Sequence, residues 1–597
     1  MTRVSDRHSR LTSPFSTLPA PRSKARAGAG RGLASAAIAV LLGLTTPGDA
    51  VAQRLVKADH GFGPGAVYNG RLIYSGYDAT YGEEPWITDG TAAGTTMLAD
   101  LSLDWRSSYS HGFVEANGKL FFTAWTQPSG RELYVTDGTT AGTVMVKEIS
   151  PGQGGSADNL TAFAGRLFFT AWGPGGVELW TSDGTTAGTA EFMDINPSGH
   201  ANPSSLTVVD DLLLFAADDG TSGKELWATD GTVAGTSLVA DIMPGAGGSD
   251  PRDFAVRDGE LVFSADDGQR GRELWTWAQV GAFSRLGVID INPGPAGSWP
   301  HFMKTSQDRV YFAANDGATG AEPWVTDGTV AGTAMLGDLA PGTQGSGPGT
   351  FTPYGTGVAF VADNGADGDE PWATDGTAAG TRMLRDIHPS GSSMTDRRGR
   401  GAKLYAFDGH CIFRADDGTS GREPWLSDGS TSGTRMLKDL NPQGESSPSD
   451  FVALGDTLLF GANDATGSGI WALDRSEIAR CTSRNGSGIN PSGYSCATLP
   501  IVGGTWRSDV VVSSATAGTL LGVALRPSAA PLGTGELLIE LAPTTAFVIG
   551  PGAYAIPVPA DNGLVGATLA TQAFRVDATS AGLQLVPQNA LDLRLGR

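Results

Sequence analysis

The phrase "GKELWATDGTVAGT" (223–236) returns, slightly respelled, along most of the chain: "GGVELWTSDGTTAGT", "GAEPWVTDGTVAGT", "GDEPWATDGTAAGT" and "GREPWLSDGSTSGT". Its aromatic anchors are Trp86, Tyr134, Trp180, Trp227, Trp275, Trp324, Trp372, Trp425 and Trp471, spaced 48, 46, 47, 48, 49, 48, 53 and 46 residues apart. A fixed period of this length marks one supersecondary unit copied in series, each copy too small to bury its own apolar faces. The chain must therefore fold by covering each unit with its neighbours.

One unit reads as four short strands. "TSLVADI" (236–242) is β-branched and apolar, "RDFAVRDG" is weaker, "ELVFSAD" (260–266) is strongly apolar, and "RELWTW" follows. Pro- and Gly-bearing segments such as "MPGAGGSDP" and "DGQRG" separate them. Nothing in the unit has a helical period. Glycine, 85 of 597 residues, supplies the many tight turns such a chain needs. The expected fold class is all-β: a β-propeller of nine four-stranded blades, followed by a small β-sandwich. An eight-bladed ring with one degenerate unit outside is the alternative, because Trp275 and Trp471 lie in the two poorest copies.

The phrase divides into roles. The anchor aromatic fills the space between blades. Asp-Gly in "TDGT" sets the turn from the fourth strand of one unit to the first of the next. The Gly of the following "AGT" serves a positive-φ position. Pro replaces Leu at Pro85, Pro323, Pro371 and Pro424. It cannot donate to a ladder, so that position is a strand start or an unpaired edge. The Glu beside it recurs in eight units and is structural, accepting hydrogen bonds from turn amides. "RLVKAD" (54–59) matches the strand after the "DGT" turn, and the last unit stops at "GIWALDR" (469–475), where that strand is needed. The N-terminal strand is therefore expected to complete the C-terminal sheet and close the ring.

Glu-Leu-Trp at 178–180, 225–227 and 273–275, with Asp-Gly-Thr at 89–91, 137–139, 183–185, 230–232, 327–329 and 375–377, resembles the bacterial ELWxxDGT repeat family. The resemblance covers about residues 54–475. It implies an exported β-propeller-like protein and no settled activity.

The flanks differ from the repeats. Residues 1–52 carry Arg3, Arg7, Arg10, Arg22, Lys24, Arg26 and Arg31, then the apolar "LASAAIAVLLGL" (33–44) and Ala50-Val51-Ala52. This is the pattern of a signal peptide cleaved before Gln53. Its removal takes away seven basic residues and two aspartates, moving the net charge from −22 to −27. Such an acidic chain repels nucleic acid. No later stretch is apolar enough for a membrane helix. Residues 53–478 form the propeller and 479–500 a connector in which Cys481 and Cys496 are expected to bridge. Cys411, in the apolar "HCIF", is a buried free thiol. Residues 501–597 hold short apolar runs split by Gly and Pro, the pattern of a β-sandwich. "LVGATLATQAFRVD" with "NALDLRLG" resembles a C-terminal module of planctomycete and myxobacterial secreted proteins.

Function is sparsely written. There is no G-x-S-x-G elbow, H-E-x-x-H pair or phosphate loop, and non-repeating carboxylates such as Asp104 and Glu115 are too few for a catalytic set. In a meander the "DGTxAG" turns share one face, while the "PGxxGSxP" loops and "ADDGxxG" turns share the other. The second face varies and carries His60, His111, His200, His301 and His388 with Trp105, Tyr109 and Trp299. Trp105, Tyr109, His111, His200, Trp299, His301 and His388 are the candidate ligand residues, for an extracellular glycan or protein. No cofactor is implied. Calcium at Asp218, Asp219 and Glu225 is the alternative to plain Asp-Gly hairpin chemistry, and two units replace that turn with "WTQPSG" and "WGPGG". The expected protein is a monomeric, non-enzymatic binding propeller, secreted or at the cell surface of a bacterium. A propeller hydrolase or lyase acting on polysaccharide and a structural envelope component are the rivals.

Overall fold

The computed structural model describes residues 53–478 apart from 104–105, 152–153, 282, 356, 395–402 and 476–477, and the backbone of strands between 480 and 594. The signal-peptide pattern, Asp104, Trp105 and the Cys481 and Cys496 side chains with their expected bridge lie outside the described residues. No helix among the described residues is long and apolar enough to cross a membrane.

Nine four-stranded antiparallel sheets make a β-propeller. Blade 1 consists of β2 (Gly61–Tyr68), β3 (Arg71–Asp78), β4 (Gly82–Thr88) and β5 (Thr96–Met97); β1 (Gln53–Ala58) belongs elsewhere. Blade 2 consists of β6 (His111–Ala116), β7 (Lys119–Thr126), β8 (Gly130–Thr136) and β9 (Val144–Lys147). Blades 3 to 8 repeat the order over 158–193, 204–240, 252–289, 301–335, 349–383 and 404–436. Blade 9 takes its inner three strands from 449–474 and its outer strand from β1, with Arg54 opposite Ala472 and Leu55 opposite Trp471. The two ends of the ring are thus joined by one sheet, which removes an open edge. Trp275 and Trp471 both anchor complete blades, so the count is nine. Between 480 and 594 the strands form three further antiparallel sheets, of five, three and two strands.

The repeat is shifted by one strand relative to the blade. "DGT" joins the third strand to the fourth of the same blade, as Asp89-Gly90-Thr91 does between β4 and β5, and not one blade to the next. The long loop after the fourth strand makes the crossing between blades.

Interfaces between blades are apolar and aromatic. Directly opposite each anchor, on the second strand, stands another large ring: Tyr74, Phe122, Phe169, Phe215, Phe263, Phe312, Phe360, Phe413 and Phe460. All nine are fully buried. Eight of the anchors are buried as well, and Trp324 is half-buried. Trp180 of blade 3 packs among Phe121, Leu133 and Val146 of blade 2, as an inter-blade role requires. Cys411 is buried and unbridged, and burial pushes its thiol up to about 12.

Proline has a different meaning from the one expected. Pro85, Pro323, Pro371 and Pro424 lie inside the third strand, opposite Ser75, Ala313, Val361 and Arg414. Their missing N–H faces the outer strand. In all four blades that outer strand is two residues long, whereas it is four in the blades of Leu133, Leu179 and Leu226. The Pro carbonyl still accepts from the outer segment, Leu98 N to Pro85 O at 2.9 Å, so only the reciprocal donation is lost.

Each "DGT" turn is a closed side-chain network. In blade 1, Thr91 N and Oγ1 donate to Asp89 Oδ1 at 2.9 and 2.7 Å, and Gly94 N donates to Thr91 Oγ1 at 3.0 Å. The first glycine takes positive φ, 85° at Gly90. The second, Gly94, is absent from the positive-φ set; a Cβ there would lie 2.0 Å from Asp89 Oδ1. Its requirement is close approach and not torsion, which corrects the sequence expectation.

Candidate functional site

The inter-blade loops are held by the recurring glutamate. Glu84, Glu132, Glu178, Glu225, Glu273, Glu322, Glu370 and Glu423 are all fully buried. Each takes amide hydrogen bonds from both ends of the loop that follows its blade: Glu178 from Ile195 N at 3.0 Å and Ala201 N at 2.9 Å, Glu370 from Ile387 N and Ser393 N at 3.0 Å each. Burial pushes Glu84 and Glu370 up to about 7 against the pull of these bonds, and raises the other six. Blade 9 has Gly469 at this position. There the outer strand β1 runs into β2 through Asp59 and His60 alone, so no long loop needs holding. A Cβ on Gly469 would lie 2.7 Å from Leu55 Cδ1. His60 is buried, its Nε2 3.0 Å from Tyr74 Oη and its ring 4.3 Å from that of Trp86. Burial, with Lys57 nearby, lowers its pKa to about 4. His60 therefore belongs to the closing core and not to an exposed rim.

The loops and the turns between second and third strands lie together on one face. A Cβ on Gly223, in the blade 4 turn, would meet Gly248 N of the following loop at 2.5 Å. A backbone bond fixes the last or next-to-last residue of the second strand beneath the incoming loop in blades 2 to 9. Examples are Trp125 N to Ser108 O at 2.6 Å, Trp172 N to Gly155 O at 2.6 Å, Asp218 N to Ala201 O at 2.9 Å and Asn463 N to Ser446 O at 2.8 Å. The backbone position is constant and the side chain is not. Blades 4 to 9 carry Asp218, Asp266, Asn315, Asp363, Asp416 and Asn463 there. Blades 1 to 3 carry Tyr77, Trp125 and Trp172. Tyr77 is 52% exposed, Trp172 is 44% exposed and Trp125 is half-buried. Three neighbouring blades thus carry an aromatic sector at a register position that is acidic or amidic in the other six.

The candidate ligand residues fall in separate places on this face. Tyr109 and His111 join the aromatic sector. Tyr109 is 55% exposed and held at φ 48°, an uncommon conformation for a bulky residue. It lines a cleft of about 340 Å³ with Arg106, Ser107, Trp125 and Arg131. His111 Nδ1 donates to Tyr109 O at 3.0 Å, leaving Nε2 to face Arg131 Nη1 at 3.4 Å. His200 packs on Trp172 at 5.0 Å between centroids and accepts from Val177 N at 3.1 Å through Nδ1. Trp299 and His301 form a second group between blades 5 and 6. Trp299 is 54% exposed at φ 53°, with Arg252 and Arg272 at 5.9 and 5.8 Å from its ring. His301 packs at a tilt against Phe302, 4.8 Å between ring centroids, and Phe302 is 54% exposed at φ 56°. His388 stands apart, in the loop after blade 7.

The calcium candidates accept hydrogen bonds from their own turn and from the following loop. Asp219 Oδ1 accepts from Thr221 N and Ser222 N at 2.8 and 2.7 Å, and Asp218 Oδ1 from Gly220 N at 2.7 Å. Glu225 is spent on Ile242, Met243 and Ser249. Among the described residues no group of three or more His, Cys, Asp or Glu is placed to hold a metal. The sequence reading missed Tyr77, Arg106, Trp125, Arg131 and Trp172. For Trp125 and Trp172 the signal was the departure of "WTQPSG" and "WGPGG" from the "ADDG" turns.

No family model and no curated protein matches the chain. Solved structures with detectable likeness include a prolyl endopeptidase (12% identity, TM-score 0.33, covering 67% of this chain and 54% of that one) and a puromycin hydrolase (13%, 0.32, 60% and 58%). A third is the β-propeller domain of the trilobed protease from Pyrococcus furiosus (11%, 0.31, 55% and 97%). The chain spans a little over half the length of the two full enzymes.

Proposed function

We propose that the chain is an exported, non-enzymatic propeller of the ELWxxDGT type whose loop face binds carbohydrate at the aromatic sector of blades 1 to 3. One observation carries this reading: Tyr77, Trp125 and Trp172 occupy one register position on three successive blades where the other six blades carry Asp or Asn. Rigid aromatic faces offer large contact area at little entropic cost, and their flat apolar surfaces match the C–H faces of pyranose rings. His200 beside Trp172 adds an exposed polar edge. A glycan-array screen of the full chain, compared with Trp125→Asp and Trp172→Asp, tests it. The substitutions install the residue type that other blades use at the same place, so the fold is expected to tolerate them. Glycan binding by the parent chain and its loss in both variants is the expected result. A parent chain silent on the array, or capture of a protein ligand in place of glycan, refutes the reading.

A further inference from the structure

The aromatic sector is not uniform in charge. At the junction of blades 1 and 2, Arg106 from the inter-blade loop and Arg131 from β8 line the cleft of about 340 Å³ together with Trp125, Tyr109 and Ser107. Its volume lies within the ~300–1,000 Å³ of small-ligand sites. Trp125 and Arg131 are directly opposite one another across β7 and β8, so ring and guanidinium rise side by side.

The side chains holding the two arginines are an amide and an imidazole. Arg106 Nη1 donates to the Gln127 side-chain oxygen, and Arg131 Nη1 faces His111 Nε2 at 3.4 Å. Among the described residues no carboxylate stands within ion-pair distance of either, in a chain of net charge −22. Arginines elsewhere on this face are neutralised: Arg272 pairs with Asp250 at 3.1 Å, Arg270 with Asp267, and Arg422 with Glu445 at 3.4 Å. Two guanidiniums lining one cleft with an aromatic ring supply the donor forks that suit an anionic group and a stacking surface for the ring that carries it.

We propose that this cleft is a subsite for an anionic sugar residue, its carboxylate or sulfate held by Arg106 and Arg131 and its ring stacked on Trp125. The inference rests on the carbohydrate reading above and adds the charge of the ligand. Titration calorimetry of the full chain with oligogalacturonate, oligomannuronate and a chondroitin sulfate hexasaccharide tests it, each beside its fully methyl-esterified counterpart, the chondroitin one also desulfated. At least one anionic member is expected to bind tenfold or more tighter than its uncharged form, with affinity falling as salt is raised. Arg106→Gln/Arg131→Gln removes that preference, and Arg131→Lys, which keeps the charge and loses the fork, restores part of it. Near-UV circular dichroism identifies any variant that has not folded, and the single variant Arg106→Gln, at an exposed position, then serves alone. Equal binding of charged and uncharged forms overturns the subsite and leaves the carbohydrate reading standing. So does a charge preference that survives the arginine substitutions. Absence of binding by every saccharide, charged or neutral, overturns both.

Discussion

Removing one buried glutamate should release one loop. Glu225 accepts four hydrogen bonds: Ile242 N at 3.1 Å, Met243 N at 3.1 Å, Ser249 N at 2.8 Å and Ser249 Oγ at 2.5 Å. Bonds to an ionised group are worth roughly 1.5–3 kcal/mol each, so Glu225→Ala forfeits at most ~6–12 kcal/mol. Two effects reduce this. Burial opposes the carboxylate's charge, as its raised pKa shows, so losing the charge returns part of the sum. Met243 is also half-buried and its amide can turn to water, whereas Ile242 and Ser249 are buried and cannot without opening the loop. The net loss should be about 3–5 kcal/mol, within the range of buried-network disruptions. Amide hydrogen exchange read at Ile242 and Ser249 is the direct assay. At ~1.4 kcal/mol per factor of ten, both amides should exchange at least about a hundredfold faster, while strand amides of blades 7 and 8 keep their rates. Glu225→Gln, which keeps one acceptor oxygen, should fall between. Unchanged exchange at both amides in Glu225→Ala would show that the glutamate does not hold the loop.

The same carboxylates set a pH dependence. Because Glu84 and Glu370 are raised to about 7, the folded chain holds their protons more tightly than the unfolded one. That stabilisation is complete below the ordinary glutamate pKa and is lost as pH rises through about 7. Calorimetric midpoints should therefore decline between pH 5 and pH 8, less steeply in Glu84→Gln; a midpoint that climbs over that window contradicts the assignment. On the acid side the turn aspartates Asp89, Asp137, Asp183, Asp230, Asp327 and Asp375 are held below the usual carboxylate range by their threonine partners, so stability should fall again below about pH 4. Gly235→Ala puts a Cβ 2.2 Å from Asp230 Cγ and should destabilise by about 2 kcal/mol or more. Combined with Asp230→Ala the loss should be well below additive, and full additivity in denaturant melts would separate the two residues. Val56, buried in the closing sheet with Leu459, Ile470 and Trp86, should open the ring when changed to Asp. Limited proteolysis should then cut near β1 and blade 9 first, and an unaltered pattern would mean that β1 is dispensable.

Much of the architecture could be read because every blade is an independent statement of it. The anchors, the closing role of Arg54–Asp59 and the buried glutamate all follow from comparing copies within one chain. What could not be read is the phase. A periodic pattern does not say where its unit begins, and the outer strands that would mark a blade's end are only two residues long where Pro85, Pro323, Pro371 and Pro424 shorten the ladder. The second glycine of "DGTxAG" was visible, but a sequence does not distinguish torsion from the nearness of an aspartate side chain. The rings opposite the anchors were also in view, 11 or 12 residues earlier in every copy. For the site, Tyr109 and His111 were legible as aromatic and His outliers on the variable face. Arg106 and Arg131 were not, because an unpaired charge is a property of the space around it.

The aromatic sector also works against folding where it stands. In blades 4 to 8 the same residue's side chain closes its own turn: Gly220 N donates to Asp218, Gly268 N to Asp266, Gly317 N to Asn315, Gly365 N to Asp363 and Gly418 N to Asp416, all at 2.7–2.8 Å. A tyrosine or tryptophan forgoes that bond, a net loss of about 0.5–1.5 kcal/mol, and leaves apolar surface in water. Blades 2 and 3 carry Pro128 and Pro174 in those turns, which limit the unfolded chain and offset part of the loss. The backbone bond beneath the incoming loop is kept, so these blades gain nothing in architecture that the aspartate blades lack. Stability alone would favour aspartate in blades 2 and 3 as in blades 4 to 8, whereas in blade 1 Asp78, the next residue, accepts from Thr80 N. Aromatics on three adjacent blades, in two of them where the backbone is already held beneath the incoming loop, fit selection for contact with a molecule outside the chain.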